Sequence, residues 1–257
     1  MKNIFSYTIL GIALISASAC SKKLDNYAAP DQTLYGRIID AGTGENVQSE
    51  VSGENGTGTR IELLELSWSD NPTPLYLATK QDGTYTNTKI FSGHYNILAD
   101  GAFVPLVQTG ANPVDKSQTV DIQGGSTEVD FTVEPFLRIK WVGDPVVNAN
   151  GTITAKFIVT RGTADPNYQL NVTDINLYVN DYPFVGSNAN SFDPRYSTRV
   201  SYSGTNGNNL LGQTLTFTTS GTLPGQRDWY IRVAARTTFP NLGRPYNYNE
   251  VKKVTLP

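Results

Sequence analysis

Two polar segments rich in aromatic residues are the strongest candidates for chemistry in this 257-residue sequence. They span residues 180–196 and 239–248, and both mix flat rings with Asn and Arg side chains. Aromatic rings offer large apolar faces that can stack on the C–H faces of sugars, while the polar side chains can bind sugar hydroxyls. The candidate ligand-binding residues are Tyr182, Phe184, Arg195, Tyr196, Arg244, Tyr246 and Tyr248. The alternative is that these rings pack locally under long loops as a satellite cluster.

Residues that could support catalysis are few and scattered. The single histidine, His94, lies on a predicted strand or its entry, and no Gly-x-Ser-x-Gly motif is present to expose a serine. Glu62 and Glu65 are three residues apart, so a strand would point them to opposite faces. Loop aspartates neighbour Pro or Asn, as in turns, and the calcium motif D-x-[DN]-x-[DN]-G is missing. We therefore predict no catalytic residue, no metal site and no cofactor, so the chain is not expected to be an enzyme.

The single cysteine, Cys20, directly follows a segment with the features of an export signal. Lys2, the apolar stretch 4–15 and the small residues 17–19 have the features of a cleaved secretory signal peptide. The segment 17–20 is similar to a bacterial lipobox, with Ala17 where leucine is usual, and this predicts a lipid on Cys20. The membrane would then be a partner, because several acyl chains together give stable anchoring. The alternative is ordinary signal cleavage that leaves a free cysteine.

The residues after Cys20 predict a short tether and leave one question of location open. Residues 20–31 are mostly polar and small. We predict an outer-membrane lipoprotein. Acidic residues just after the cysteine often signal export to the cell surface in Bacteroidetes, but Lys22 and Lys23 stand there, with Asp25 behind them. Cell-surface and periplasmic placement are therefore both open.

The composition favours a folded all-β protein that does not bind nucleic acid. Hydrophobic residues make up 39% of the chain, which is enough to bury a core. The net charge of -3 provides no basic surface for phosphates. The 23 glycines and 14 prolines are typical of many short strands joined by turns. One cysteine excludes an intramolecular disulfide and a cysteine-rich zinc site.

Alternation of apolar and polar residues predicts strands through most of the chain. The clearest examples are residues 119–122, 128–133 and 229–235, and Asp82-Gly83 predicts a tight turn. No amphipathic helix of more than two turns is predicted. The three tryptophans alternate with apolar neighbours, which places them mainly in cores or at a domain junction: Trp68, Trp141 and Trp229.

Several short motifs of the first half occur in a characteristic order. They cover residues 36–40, 44–47, 82–85, 92–97, 120–122 and 129–133. In this order they resemble a carboxypeptidase-regulatory-like, or transthyretin-like, domain. The resemblance covers about 100 residues and implies a seven-stranded sandwich without catalytic residues of its own.

The end of the chain resembles the last two strands of an immunoglobulin-like or fibronectin-III-like domain. The residues concerned are 230–235 and 248–251, which flank a proline-containing loop. In such a fold the segment 239–248 connects these strands at one end of the sandwich, where binding loops usually lie.

The whole layout resembles a two-domain lipoprotein family of Bacteroidetes, a domain family of unknown function found beside Sus-type glycan-uptake systems. We predict an all-β protein with two consecutive β-sandwich domains after a cleaved lipoprotein signal peptide. The predicted parts are the signal peptide 1–19, the lipidated cysteine and tether 20–31, and sandwiches over 32–135 and 136–257. The resemblance implies a non-catalytic glycan-binding or scaffold role, with glycan and Sus-type outer-membrane proteins as partners. The alternatives are a structural spacer or adhesion protein and, third, a glycan-acting enzyme.

Overall fold

The computed structural model describes residues 28–51 and 57–257. The predicted signal peptide, residues 1–19, and the predicted lipid-bearing Cys20 lie outside the described residues. The described part consists mainly of strands, with short 3-10 turns at Pro166–Tyr168 and Asn206–Leu210. It contains no helix with the length and hydropathy needed to cross a bilayer. The all-β prediction is confirmed.

The first half of the described chain, up to residue 135, forms two packed sheets and a small hairpin. Its strands are β1 (Gln32–Asp40), β2 (Arg60–Glu65), β3 (Leu75–Ala78), β4 (Thr84–Ile90), β5 (Gly93–Asp100), β6 (Val107–Gln108), β7 (Val114–Asp115), β8 (Gln118–Ile122), β9 (Ser126–Glu128) and β10 (Phe131–Val133). In one sheet, β1 runs antiparallel to β4 and parallel to β9 and β10. The second sheet is antiparallel, in the order β3-β2-β5-β8, while β6 and β7 pair with each other.

Alternation along these strands places apolar side chains between the two sheets. Leu34 and Ile38 of β1 point inward and are fully buried. They share one core with Ile61 and Leu63 of β2 and Ile97 of β5. Complete burial of each such side chain contributes about 1.5–3 kcal/mol, so this core holds the two sheets face to face.

The predicted tight turn at Asp82-Gly83 forms between β3 and β4. Asp82 Oδ1 accepts hydrogen bonds from the backbone N–H and the hydroxyl of Thr84, at 3.0 and 2.7 Å. Gly83 has a φ of +78°, and a Cβ at this position would lie 2.2 Å from the carbonyl oxygen of Val47. Glycine meets both requirements without strain, so the turn packs directly against the chain that follows β1.

The second half of the described chain forms another pair of sheets. Its strands are β11 (Leu137–Trp141), β12 (Val146–Val147), β13 (Ile153–Arg161), β14 (Val172–Asn180), β15 (Thr198–Ser201), β16 (Thr214–Thr218), β17 (Arg227–Thr237), β18 (Asn247–Tyr248) and β19 (Lys252–Leu256). In one sheet β13 pairs with β11, β12 and β16. In the other, β14 pairs with β15 and β17, and β17 pairs with β18 and β19. The core between them includes Phe157, Leu177 and Val233. The two sandwiches of the fold prediction are therefore present.

The β14–β17 sheet is covered on both faces. Leu177 and Val179 of β14 face the core, yet Asn176 and Tyr178 on the opposite face are also buried. The segment after β14 packs over this outer face, because Val185 shares a cluster with Tyr178. Residues 50 and 81 of the first half reach the same face through hydrogen bonds. We call this contact between the two halves the junction.

Directional contacts also tie the halves at the edge of the junction. Arg138 of β11 donates two hydrogen bonds of 2.6 Å to the carboxylate of Asp40 in β1. Burial alone would raise the pKa of Asp40, but the bonds from Arg138 and from the Gly42 N–H outweigh it and lower the pKa. Asn247 donates to the Ala102 carbonyl at 2.8 Å and accepts from the Leu137 N–H at 3.0 Å.

The tryptophans do not all occupy cores. Trp229 is buried and Trp141 packs at the border of the second core, as predicted. Trp68 is 65% exposed, so its placement in a core or junction was wrong. The reason is local: β2 ends at Glu65, and Trp68 lies in the following bend, where alternation no longer decides which way a side chain points.

Candidate functional site

Two aromatic side chains of the first candidate segment project into solvent. Tyr182 is 64% exposed and Phe184 is 60% exposed, and they stand two residues apart after β14. Single exposed apolar side chains are normal on a protein surface, but two neighbouring exposed rings form a patch that is a candidate contact surface. We call Tyr182 and Phe184 the exposed pair.

The backbone beneath the exposed pair is fixed by the other half of the molecule. Gln81 donates to the Pro183 carbonyl at 3.1 Å and accepts from the Val185 N–H at 2.8 Å. Asn180 donates to the Phe184 carbonyl at 3.0 Å. The segment is therefore held from both sides while its two rings remain outside.

Flanking contacts hold the segment at its start and its end. Arg227 and Asp181 form an ion pair of 2.8 Å beside Tyr182. Val185, immediately after the pair, is completely buried. A rigid aromatic surface loses little conformational entropy when it binds, which favours recognition.

Arg195 and Tyr196 lie further along the same segment and make mostly internal contacts. Arg195 pairs with Asp193 at 2.7 Å, and this hydrogen-bonded pair lowers the pKa of Asp193. The guanidinium lies 5.1 Å from the centre of the Tyr196 ring. Tyr196 meets Trp229 edge-on, with ring centres 5.2 Å apart. Tyr196 is therefore partly committed to packing, whereas Arg195 stays exposed.

The candidates of the second segment are turned into the molecule. Arg244 donates to the Thr173 hydroxyl at 2.7 Å. Tyr246 is half-buried, lies under Arg236 at 4.6 Å, and accepts a 3.2 Å hydrogen bond from Asn176. Tyr248 is only 6% exposed, so it has no free ring face for a ligand, and its assignment as a ligand contact is corrected to a packing role.

Tyr248 takes part in a buried polar network that crosses the junction. Its hydroxyl donates a short hydrogen bond to the carboxylate of Glu50, which is 1% exposed. The same carboxylate accepts from the Ser187 N–H at 2.8 Å and from its hydroxyl at 2.6 Å. Burial first, and then the negative charge of Glu50, raise the pKa of Tyr248 well above its usual value. Tyr248 is therefore held as a neutral donor.

Arg232 of β17 lies on the other side of the Tyr248 ring and is completely buried. Its guanidinium is 4.2 Å from the ring centre. It donates to three backbone carbonyls, those of Asn249, Val185 and Gln81, at 2.7, 3.0 and 3.2 Å. Burial lowers its pKa to about 10, so the side chain remains charged at neutral pH. One cation thus joins β17, the loop under the exposed pair, and the first half.

The loop between β17 and β18 also meets the first half. Asn241 donates to the Gly101 carbonyl at 2.6 Å. The sequence placed this loop at a sandwich end as a presenter of ligand contacts, whereas the structure places it against the chain after β5. Local sequence patterns do not single out Glu50, Gln81 and Arg232, because the contacts that join the halves, Arg232 with Gln81 and Glu50 with Tyr248, are 151 and 198 residues apart along the chain.

His94 does not assemble a catalytic group with its neighbours. Its Nδ1 pairs with Asp121 at 2.6 Å across two adjacent strands, and both side chains are at least half exposed. The Ser67 hydroxyl accepts a hydrogen bond from the His94 backbone N–H rather than from the ring. In the described residues no group of three or more His, Cys, Asp or Glu side chains is placed to hold a metal ion.

A cleft of about 870 Å³ opens along the edge of the junction. Residues 43–48 and Asp82 line it from the first half. Residues 137–141 and 247–250 line it from the second. Asp82 is next to Gln81, which supports the exposed pair, so the turn between β3 and β4 borders both features.

Comparison with known proteins identifies the family. Residues 32–134 match the N-terminal domain model of DUF3823, described as a protein of unknown function. The solved structure of a DUF3823 family protein from Bacteroides uniformis ATCC 8492 is 36% identical, covers 89% of this chain and 100% of its own, and gives a TM-score of 0.79.

More distant structures share the fold. A proposed carbohydrate-binding protein from Bacteroides uniformis ATCC 8492 is 24% identical, covers 88% of this chain and 100% of its own, and has a TM-score of 0.65. A DUF3823 family protein from Parabacteroides merdae ATCC 43184 is 18% identical, covers 89% and 100%, and has a TM-score of 0.61. No curated protein matches the chain. On its sequence identity and coverage, this chain belongs to the DUF3823 family.

Proposed function

We propose that this protein is a non-catalytic, lipid-anchored component of the outer membrane that binds glycan through the exposed pair. The observation that supports this most strongly is that Tyr182 and Phe184 are exposed on a backbone held by Gln81 and Asn180. Flat rings in this setting can stack on sugar rings, and the neighbouring Asp181–Arg227 pair offers groups for hydroxyls. The proposed context is a Sus-type glycan-uptake system, where the protein would be an accessory binding component.

A structural relative supports the ligand class. The Bacteroides uniformis protein with the same fold is described as a proposed carbohydrate-binding protein. At 24% identity, the likeness to this protein supports a shared fold. The chemical reason to expect glycan binding in this chain is the exposed pair, whose rings can stack on sugars.

The pKa shifts of two carboxylates that line the cleft support a role without catalysis. A glycosidase needs one carboxyl group whose pKa is raised so that it can donate a proton. Burial would raise the pKa of both Asp40 and Asp82, but hydrogen bonds from Arg138 and Thr84 lower each of them instead. These two carboxylates are therefore suited to holding structure rather than to donating protons.

Affinity gels test glycan binding directly. The purified chain is run through gels containing starch, xylan, mannan, β-glucan or polygalacturonate, and we expect at least one to retard it. Tyr182→Ala and Phe184→Ala should each weaken retention by on the order of 1 kcal/mol or more, by analogy with base stacking on aromatic rings. Phe91→Ala, which removes an exposed ring of the first half, is the matched control. Migration unaffected by every polysaccharide would refute the proposal.

Cell fractionation tests the anchor separately. With Cys20 unchanged, the protein should be found in the membrane fraction and carry a lipid mass on its N-terminal residue. Cys20→Ala should release it, because the acyl chains would be its attachment. A Cys20→Ala protein that stays in the membrane fraction would overturn the lipoprotein assignment.

A rigid spacer is a second candidate function, favoured by the junction. The buried contacts of Arg232, Glu50 and Asp40 fix the two sandwiches to each other, which a stalk between membrane and partner would need. A spacer would give no glycan retardation but would still be anchored through Cys20, so the two experiments above distinguish the candidates.

A further inference from the structure

We propose that the cleft along the junction is a second binding site for glycan and accepts an uncharged oligosaccharide. This inference rests on the proposed glycan-binding function and extends it from the exposed pair to an open cleft. At about 870 Å³ the cleft lies within the range of pockets that enclose small molecules.

Carboxylates and cations are equally numerous among the side chains that line the cleft. Four carboxylates line it: Asp40, Glu45, Asp82 and Glu250. Four cations line it as well: Arg37, Arg138, Lys140 and Lys252. Three of these cations are already in ion pairs: Arg37 with Asp130, Arg138 with Asp40, and Lys252 with Asp144. Arg37 and Lys252 are neutralised by Asp130 and Asp144, which lie outside the lining, so carboxylates exceed cations around the cleft. This excess disfavours an acidic glycan and favours a neutral one.

The walls nevertheless offer uncommitted hydrogen-bonding groups. The side-chain amides of Asn46 and Gln48, on the first wall, make no hydrogen bond to another described residue. An amide has donors and an acceptor, so it can bind a hydroxyl in either direction. Hydroxyl-rich, uncharged molecules match this combination, whereas an apolar ligand would leave these groups unpaired.

Asn249, on the opposite wall, has one buried polar atom without a partner in the described part of the chain. The residue is 4% exposed and lines the cleft. Its Oδ1 accepts from the Val233 N–H and its carbonyl accepts from Arg232, but Nδ2 has no acceptor. Because Nδ2 is also shielded from solvent, it does not reach a molecule in the cleft as the side chain stands, and the amides open to a ligand are those of Asn46 and Gln48.

The placement relative to the exposed pair is consistent with one continuous glycan surface. Gln81 holds the backbone of Pro183 and Val185, while the adjacent Asp82 lines the cleft. The turn between β3 and β4 therefore borders the exposed pair through Gln81 and the cleft through Asp82. A glycan chain that stacks on the exposed pair would reach the cleft by crossing this turn.

Binding measurements on the full chain test the cleft apart from the exposed pair. The double variant Asn46→Ala/Gln48→Ala removes both uncommitted amides, while Gln123→Ala removes an exposed amide that does not line the cleft. Titration uses oligosaccharides cut from whichever neutral polysaccharide retards the wild type. We expect the double variant to bind about tenfold more weakly and Gln123→Ala to bind like the wild type. Equal denaturation midpoints for all three proteins show that folding is intact.

The other outcomes distinguish the cleft proposal from the proposed glycan-binding function. If Tyr182→Ala weakens binding and the amide double variant does not, the cleft proposal is overturned and the proposed function stands. If polygalacturonate binds and no neutral glycan does, the assignment of an uncharged ligand is wrong. If no polysaccharide binds, both proposals fail together.

Discussion

The two aromatic segments of the second sandwich have similar compositions and opposite environments. In the segment after β14, Tyr182 and Phe184 face solvent. In the segment that leads into β18, Tyr246 is half-buried and Tyr248 is nearly completely buried. The difference does not come from the residues themselves. At Tyr248 it comes from the first half of the molecule, whose Glu50 reaches this side chain while its Gln81 contacts only the backbone around the exposed pair. Tyr246 is covered by Arg236 and Asn176 of the second half.

The comparison shows how the same residue types divide between stability and recognition. Rings that face a buried cation and carboxylate, as Tyr248 does, are bound to the junction and cannot meet a ligand. At the exposed pair, hydrogen bonds hold only the backbone, so the two rings are fixed in place and remain available to a ligand. Substitutions in the two regions should therefore separate into those that change folding and those that change binding.

The largest effect is expected from Arg232→Ala. This substitution removes a donor from the carbonyls of Asn249, Val185 and Gln81 and removes the cation over Tyr248, so we expect a loss of about 3–5 kcal/mol in the free energy of unfolding. Urea denaturation measures it. Arg37→Ala, which breaks a surface ion pair with Asp130, should cost less than about 1 kcal/mol. Similar losses for the two variants would show that the junction is not a stabilising contact.

A double-mutant cycle between Tyr248 and Glu50 should give the next largest effect. Tyr248→Phe keeps the ring and removes the donor to the buried carboxylate, at an expected cost of about 1–3 kcal/mol. Combined with Glu50→Gln, the two losses should not add, because both side chains belong to one hydrogen bond. Strict additivity in denaturation experiments would contradict the network across the junction.

Alkaline pH should weaken the folded state through its buried tyrosines. Burial raises the pKa of Tyr85, Tyr178 and Tyr248 above 10, so the unfolded chain releases these protons first. Stability is therefore retained below pH 10 and falls as the pH rises further, by about 1.4 kcal/mol per pH unit for each tyrosine. Tyr248→Phe should remove one such contribution from the slope. An unchanged slope, measured by denaturation at several pH values, would argue against burial of Tyr248.

The smallest effect on folding is expected in the exposed pair. Tyr182→Ala should change the free energy of unfolding by no more than about 0.5 kcal/mol, since its ring is mostly in water. Tyr246→Ala is the matched tyrosine of the other segment and should cost about 1–3 kcal/mol. A large loss for Tyr182→Ala would place that ring in the structural group instead.

Much of the fold could be predicted from the sequence, because alternation and turn residues act locally. The Asp82-Gly83 turn and the strong strand around Trp229 appear where the pattern predicts them. The outer face of β14 could not be predicted. Asn176 and Tyr178 suggest a face in contact with water, but the loop after β14 and the first half bury them. Such cover depends on contacts between residues far apart in sequence.

Only part of the candidate site could be predicted, again because burial depends on residues that are far apart in sequence. Composition identified Tyr182 and Phe184 together with Tyr248, and composition carries no information about which ring another sheet will cover. Gln81, which fixes the segment under the exposed pair, is an ordinary exposed-looking glutamine in the sequence. Its role depends on contacts 102 and 104 residues away.

The central claim is that the exposed pair binds glycan while the buried tyrosines hold the fold. Its most direct test is calorimetric titration of the Tyr182→Ala/Phe184→Ala double variant with the glycan that retards the wild type. We expect at least about tenfold weaker binding with an unchanged denaturation midpoint, and wild-type affinity for Phe91→Ala. Wild-type affinity in the double variant would contradict the claim.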